Sequence, residues 1–192
     1  MSVYLFGISF LLGSIPFGKL KLKRAGGVTF FLDMGKGALA ASLATPVGFQ
    51  FLMTLFNGGL KPHGFEVTPL ILWASSLCAV LGQCYSPFLK FKGGKGVATA
   101  LGVLLVLSPV AALLGVIGFF VTFCHRKIVA LASLAGTAVA AVTYVVLNPI
   151  EVHLWMGLAL VFVIFARHEV NIDALLENRE PTSDPLYWRA LF

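Results

Sequence analysis

The sequence predicts an all-α, polytopic transmembrane bundle of about seven helices, with its N-terminus outside and its C-terminus inside. Hydrophobic residues make up 58% of the 192 residues, and mean hydropathy is +0.93. Charged residues account for only 11%, less than half of the roughly 25% that a soluble domain carries on its surface. Apolar runs recur along the whole chain at lengths approaching the ~20 residues a helix needs to cross a bilayer. Together these features exclude a secreted disulfide scaffold, a disordered chain and a soluble nucleic-acid-binding domain. In such a protein the net charge of +6 reports topology, not affinity for a nucleic acid.

Seven apolar stretches are predicted: Val3 to Phe17, Val28 to Phe56, Val67 to Leu89, Val97 to Leu107, Val110 to Cys124, Ile128 to Leu147 and Ile150 to Ala166. The first is read as a mature helix, because Met1 is followed by neither a basic residue nor a small-residue cleavage site. Ser108-Pro109 separates the fourth stretch from the fifth, since proline lacks an amide donor and disfavours helix at the residue before it. Asn148-Pro149 separates the last two for the same reason. The basic residues agree with this division. With the N-terminus outside, Lys19, Lys21, Lys23 and Arg24, then Lys90, Lys92 and Lys95, then Arg126 and Lys127, and finally Arg167, Arg179 and Arg189 all fall inside. That leaves Lys61 in an outer loop and Lys36 within the second stretch. Fusing Val97 to Cys124 into one helix would put Arg126 and Lys127 outside, so seven spans are preferred to six. Residues 1–192 are expected to form a single integral membrane domain. No internal repeat of useful length is found, which weakens a transporter built from inverted repeats.

Cys78, Cys84 and Cys124 lie in or beside apolar runs without metal-ligand spacing, so neither a disulfide framework nor a zinc site is expected. Two segments carry possible chemistry. Lys92-Gly93-Gly94-Lys95-Gly96 joins the third and fourth stretches on the inner side. Glycines let successive amides turn toward one anion, the helix that follows offers its positive end, and two lysines add full charge. The competing reading is a basic loop that touches anionic lipid headgroups. The GxxxxGK[ST] spacing of a P-loop is absent. Arg167-His168 with Asn171 lies at the inner end of the last stretch. If that helix continues, Arg167, His168 and Asn171 share a face, with an imidazole suited to proton transfer and an amide suited to orienting a hydroxyl. The competing reading is a snorkelling arginine beside an interfacial histidine. Asp33 and Lys36, three residues apart, form either an ion pair inside the bundle or, the preferred reading, two residues at the inner interface. His63, Glu66, Glu151 and His153 lie in or near outer loops and suggest nothing specific.

Gly13-Ser14-Ile15-Pro16-Phe17-Gly18, then Leu32-Asp33-Met34-Gly35-Lys36-Gly37, then Lys92-Gly93-Gly94-Lys95-Gly96-Val97-Ala98, then Arg167-His168 with Asn171-Ile172 and Glu180 follow one another over nearly the whole chain. This order resembles the bacterial membrane glycerol-3-phosphate acyltransferases that use acyl phosphate. The resemblance implies a seven-helix bundle in the bacterial inner membrane. It would move a fatty acyl group from acyl phosphate to the 1-hydroxyl of glycerol 3-phosphate, giving lysophosphatidic acid at the cytoplasmic face. It implies Lys95, His168 and Asn171 as catalytic residues. Lys92, Gly93, Gly94, Gly96, Ser14, Arg167 and Glu180 would belong to substrate binding. The two substrates and membrane lipids are the implied partners of a monomer, with no cofactor, metal or nucleic acid. Some features depart from the family pattern. The family carries a GSGNxGxTN-like loop with an arginine between the first two motifs, where this chain has only Lys19 to Phe31. Gln83 stands for a histidine, Ala130 for a serine and Asn178 for a glycine. A relative that keeps the bundle without turnover, and a small transporter based on Asp33 and Lys36, are the alternatives.

Overall fold

The computed structural model describes residues 2–19, 26–57, 68–149 and 151–182. Among them the chain forms α1 (Ser2–Ser14), α2 (Gly26–Ala44), α3 (Pro46–Asn57), α4 (Pro69–Cys84), α5 (Val97–Leu107), α6 (Pro109–Arg126), α7 (Val129–Leu147), α8 (Glu151–Ala166) and α9 (Glu169–Leu176), with 3-10 turns at Phe17–Lys19 and Pro87–Leu89. Lys21, Lys23, Arg24, Lys61, His63, Glu66 and Arg189 lie outside the described residues.

Helices occupy all seven predicted stretches, with proline marking several boundaries. Pro109 opens α6 directly after the Ser108 turn, and Pro69 opens α4 beneath a Thr68 cap whose hydroxyl accepts from the Ile71 amide at 3.3 Å. The second stretch differs from expectation, being two helices broken at Thr45-Pro46. Thr45 makes the break by donating to the Ser42 carbonyl at 2.6 Å and accepting from the Gly48 amide at 3.1 Å. Phe49 and Leu52 of α3 then pack back with Leu5. Among the described residues, three segments, Pro69–Leu89, α6 and α7, are long and apolar enough to cross a bilayer by length and composition; Val3–Ser14, α5 and α8 are shorter apolar helices.

Small residues set the helix pairs. Gly13 lies against the Ala79 backbone and Gly82 against Phe10 and Ser14, which draws α1 onto α4. Gly37 meets the Thr99 backbone and Gly102 meets that of Met34, so α2 and α5 cross almost backbone to backbone. Gly115 and Gly136 seat α6 against α7. Trp73, Val80, Val103, Tyr144 and Ile164 fill the centre, while Phe31, Leu113, Phe120, Val142 and Phe162 stay exposed on an apolar outer surface. At the end opposite the glycine loop, the Trp73 indole donates to the Tyr144 hydroxyl at 2.6 Å and to His153 Nδ1 at 3.1 Å, tying α4, α7 and α8 together.

Asp33 and Lys36 are buried in the bundle at the end that carries the glycine loop, as an ion pair. They are 9% and 5% exposed and lie 2.8 Å apart. The side-chain amide of Gln83 completes the pair, donating from Nε2 to Asp33 at 2.9 Å and accepting from Lys36 at its oxygen. Lys36 also donates to the Ile15 carbonyl at 2.9 Å. An amide is suited to this place because it offers a donor to the carboxylate and an acceptor to the ammonium. Removing these charges from water is offset by pairing each of them and by the additional hydrogen bonds.

Candidate active site at the glycine-loop end

The site lies where the α4–α5 connection meets the α8–α9 junction. Phe91 donates to the Ser86 carbonyl and Lys92 to the Leu89 carbonyl, while Lys90 and Phe91 both take positive φ, which folds the connection tightly. The Gly93 amide then donates to the Cys84 carbonyl at 3.1 Å and the Gly94 amide to the Gln83 carbonyl at 2.9 Å. These two amides therefore hold the loop to α4 and do not face an anion. A Cβ at Gly93 would run into the Gln83 carbonyl. At Gly96, φ is +82° and a Cβ would lie 2.8 Å from Cys84 Sγ, so both conformation and space require glycine.

The free donors lie one step further along the chain. The first helical hydrogen bond of α5 runs from Ala100 to the Gly96 carbonyl at 2.8 Å. The amides of Lys95, Gly96, Val97, Ala98 and Thr99 have no acceptor among the described residues, and Gly96 provides no side-chain cap. The buried Thr99 hydroxyl is likewise without a partner. Positive helix end, free amides and the Lys95 ammonium thus coincide. Lys92 is exposed on the rim of the loop.

The last predicted helix does not continue through His168. It stops at Ala166, Arg167 and His168 form a turn, and α9 begins at Glu169. The face shared by three residues of one helix is therefore replaced by a bend. His168 is 1% exposed, and its Nδ1 lies 2.8 Å from the Ile164 carbonyl. A carbonyl can only accept, so Nδ1 carries the proton and Nε2 keeps its lone pair. Burial lowers the His168 pKa below the usual histidine range; the Ile164 hydrogen bond raises it, Lys95 lowers it further and Glu180 raises it. The imidazole is therefore neutral at pH 7. Lys95 is an exposed residue, yet partial burial lowers its pKa, against the opposing pull of Glu180.

Asn171 donates to Glu180 at 2.7 Å, which folds the tail back onto α9. Asn178 makes this reversal with φ 54°, and the Arg179 and Glu180 amides both donate to the Ala174 carbonyl. The structure thus brings Lys95, His168, Asn171 and Glu180 into one electrostatic group. Arg167 is committed to the loop, with Nε 3.3 Å from the Gly94 carbonyl, Nη2 3.2 Å from the Gly93 carbonyl, and its guanidinium 5.1 Å from the centre of the Tyr85 ring. Ser14 stands apart, its hydroxyl donating to the Phe10 carbonyl at 2.7 Å and its own carbonyl accepting from Ser86. Sequence reasoning missed Gln83 as the junction between the ion pair and the loop. Its polarity inside an apolar run was the available signal.

The family profile described as glycerol-3-phosphate acyltransferase matches residues 20–178. The chain belongs to that family. Relatives named glycerol-3-phosphate acyltransferase include those of Anaeromyxobacter dehalogenans (strain 2CP-C), 32% identical over 94% of this chain and 96% of the relative, and of Aquifex aeolicus, 34% identical over 93% and 97%. The fold is also similar to crystal structures of PlsY, an integral membrane glycerol 3-phosphate acyltransferase. Its glycerol 3-phosphate form has a TM-score of 0.79 at 30% identity and covers 98% of both chains. Its lysophosphatidic acid form has a TM-score of 0.78 at 33% identity and covers 97% of both. The matches span nearly all of this chain and nearly all of each relative and structure compared, despite the short connection between α1 and α2.

Proposed function

We propose that this chain transfers a fatty acyl group from acyl phosphate to the 1-hydroxyl of glycerol 3-phosphate, as a single-domain, monomeric protein of the bacterial inner membrane, with its site facing the cytoplasm and its acyl donor reaching it among membrane lipids. The observation that carries this reading is the neutral, buried His168 with an unprotonated Nε2, grouped with Lys95 at the free amino end of α5. In the reaction, Nε2 takes the proton of the acceptor hydroxyl as that oxygen bonds to the acyl carbonyl carbon. The bond from that carbon to the phosphate oxygen then breaks, and phosphate leaves with the electron pair. Lys95 and the amides from Lys95 to Thr99 neutralise the charge that develops on phosphate. Asn171, held by Glu180, orients the acceptor. The donor is already activated, so bringing two anions together in the right geometry is the main task. Lys92 draws anions to the rim, and Gly93, Gly94, Gly96 and Arg167 shape the substrate-binding framework, which Ser14 braces from outside through its bond with Ser86.

The test supplies purified protein in lipid with long-chain acyl phosphate and labelled glycerol 3-phosphate. Lysophosphatidic acid above a protein-free control is the expected result. No product would leave a bundle that has lost turnover, and equal use of acyl-CoA would contradict the donor class.

A further inference from the structure

The geometry points to Arg167 as a positioning residue that clamps the glycine loop to the His168 turn, not as a ligand of the substrate phosphate. An arginine beside the candidate base, on the face where two anionic substrates meet, invites assignment as a phosphate ligand. Its hydrogen bonds run elsewhere. Nε and Nη2 reach two consecutive carbonyls, those of Gly94 and Gly93, and Tyr85 packs against the guanidinium. The same two residues are held from the other side, because their amides donate to the Cys84 and Gln83 carbonyls. The pair Gly93-Gly94 is thus fixed between α4 and the α8–α9 turn by four hydrogen bonds, two of them from a charged donor. Lys95 follows immediately in the chain, and His168 follows Arg167. A single side chain therefore sets the separation between the group that neutralises phosphate and the group that takes the proton. The planar fork of arginine meets two adjacent carbonyls at once, which a lysine ammonium on one flexible stem does not.

This role rests on the acyltransferase reading for its kinetic consequence but not for its structural one, so two readouts separate them. In the first, hydrogen–deuterium exchange is followed at residues 91–96 of the full chain in lipid nanodiscs without substrate. Losing hydrogen bonds from a charged donor should speed exchange at Gly93 and Gly94 by about tenfold in Arg167→Ala, with Arg167→Lys in between. In the second, kcat should fall about tenfold in Arg167→Ala while KM for glycerol 3-phosphate stays within about threefold. Unchanged exchange in both variants would overturn the clamp. So would a rise of about tenfold or more in KM at constant kcat, which marks a direct ligand. If Arg167→Ala does not fold, the intermediate exchange of Arg167→Lys decides. A wild-type protein without turnover would sink the acyltransferase reading and leave the exchange result to decide the clamp.

Discussion

Lys95 and His168 are electrically linked, so each leaves a mark on the other. Lys95→Ala should cost roughly 2 to 4 kcal/mol of transition-state stabilisation, the scale of one preorganised electrostatic contact. Lys61→Ala, in the predicted outer loop, should change little; equal losses would mean that only bulk charge matters. The pH profile is more specific. Because the His168 pKa is lowered, kcat/KM should hold steady as pH falls to the ordinary histidine range and decline only below it. Lys95→Ala removes a charge that lowers this pKa and should move the decline to higher pH, whereas Glu180→Gln removes one that raises it and should move the decline lower. The same depressed pKa makes the unfolded state bind more protons, so stability conferred by His168 is lost as pH drops below about 6.5, the unperturbed histidine value. Asn178 accounts for one departure from the family pattern. Asparagine tolerates the left-handed conformation it occupies, so Asn178→Gly should be nearly silent in a thermal melt, while Asn178→Val should cost about 1 to 2 kcal/mol.

Among the elements, the α2–α5 crossing is the closest test of packing. Gly37→Val would drive a side chain into the Thr99 backbone, which a flexible neighbour cannot relieve, and should lower stability by about 3 kcal/mol or prevent folding. Gly35→Val, two residues earlier in α2, meets nothing within 4 Å and is the matched control. Comparable melting temperatures for the two variants in detergent would argue against this crossing. The element boundaries show what sequence can convey. Ser108-Pro109 and Asn148-Pro149 announced their breaks through proline chemistry, and the structure breaks there. Thr45-Pro46 carried the same signal, but apolar residues continued on both sides and masked it. The bend at His168 carried no such signal, since Glu169 and the residues after it are compatible with helix. It depends on one distant partner, the loop carbonyls that hold Arg167, while the imidazole turns back to Ile164 only four residues earlier. The residues of the site were therefore legible as types and order, while the division of labour among their backbone groups was not.

At the scale of the whole molecule, the glycine loop and the His168 turn meet at one end of the bundle, and the excess of basic residues predicts that this end faces the cytoplasm. Single cysteines placed in a protein lacking Cys78, Cys84 and Cys124 would report on this from intact cells. Residue 61 should react with an impermeant thiol reagent from outside, and residues 92 and 179 should be protected. Outside labelling of residue 92 or 179 would invert the protein or divide the site between two faces.

The buried triad of Asp33, Lys36 and Gln83 also bears on how the protein is made. When α2 leaves the ribosome, its two charges have each other but not the amide that completes them, because Gln83 is 50 residues from Asp33. A helix in that state is a poor candidate for release into lipid on its own, and it would stay beside the insertion machinery until α4 arrives. Nascent chains truncated before Gln83 should leave α2 extractable by alkali, and chains extended through α4 should resist. If α2 resists extraction in both, its insertion does not wait for Gln83. If it resists only once α4 is present, the order of synthesis is part of how a charged pair comes to rest inside the bundle.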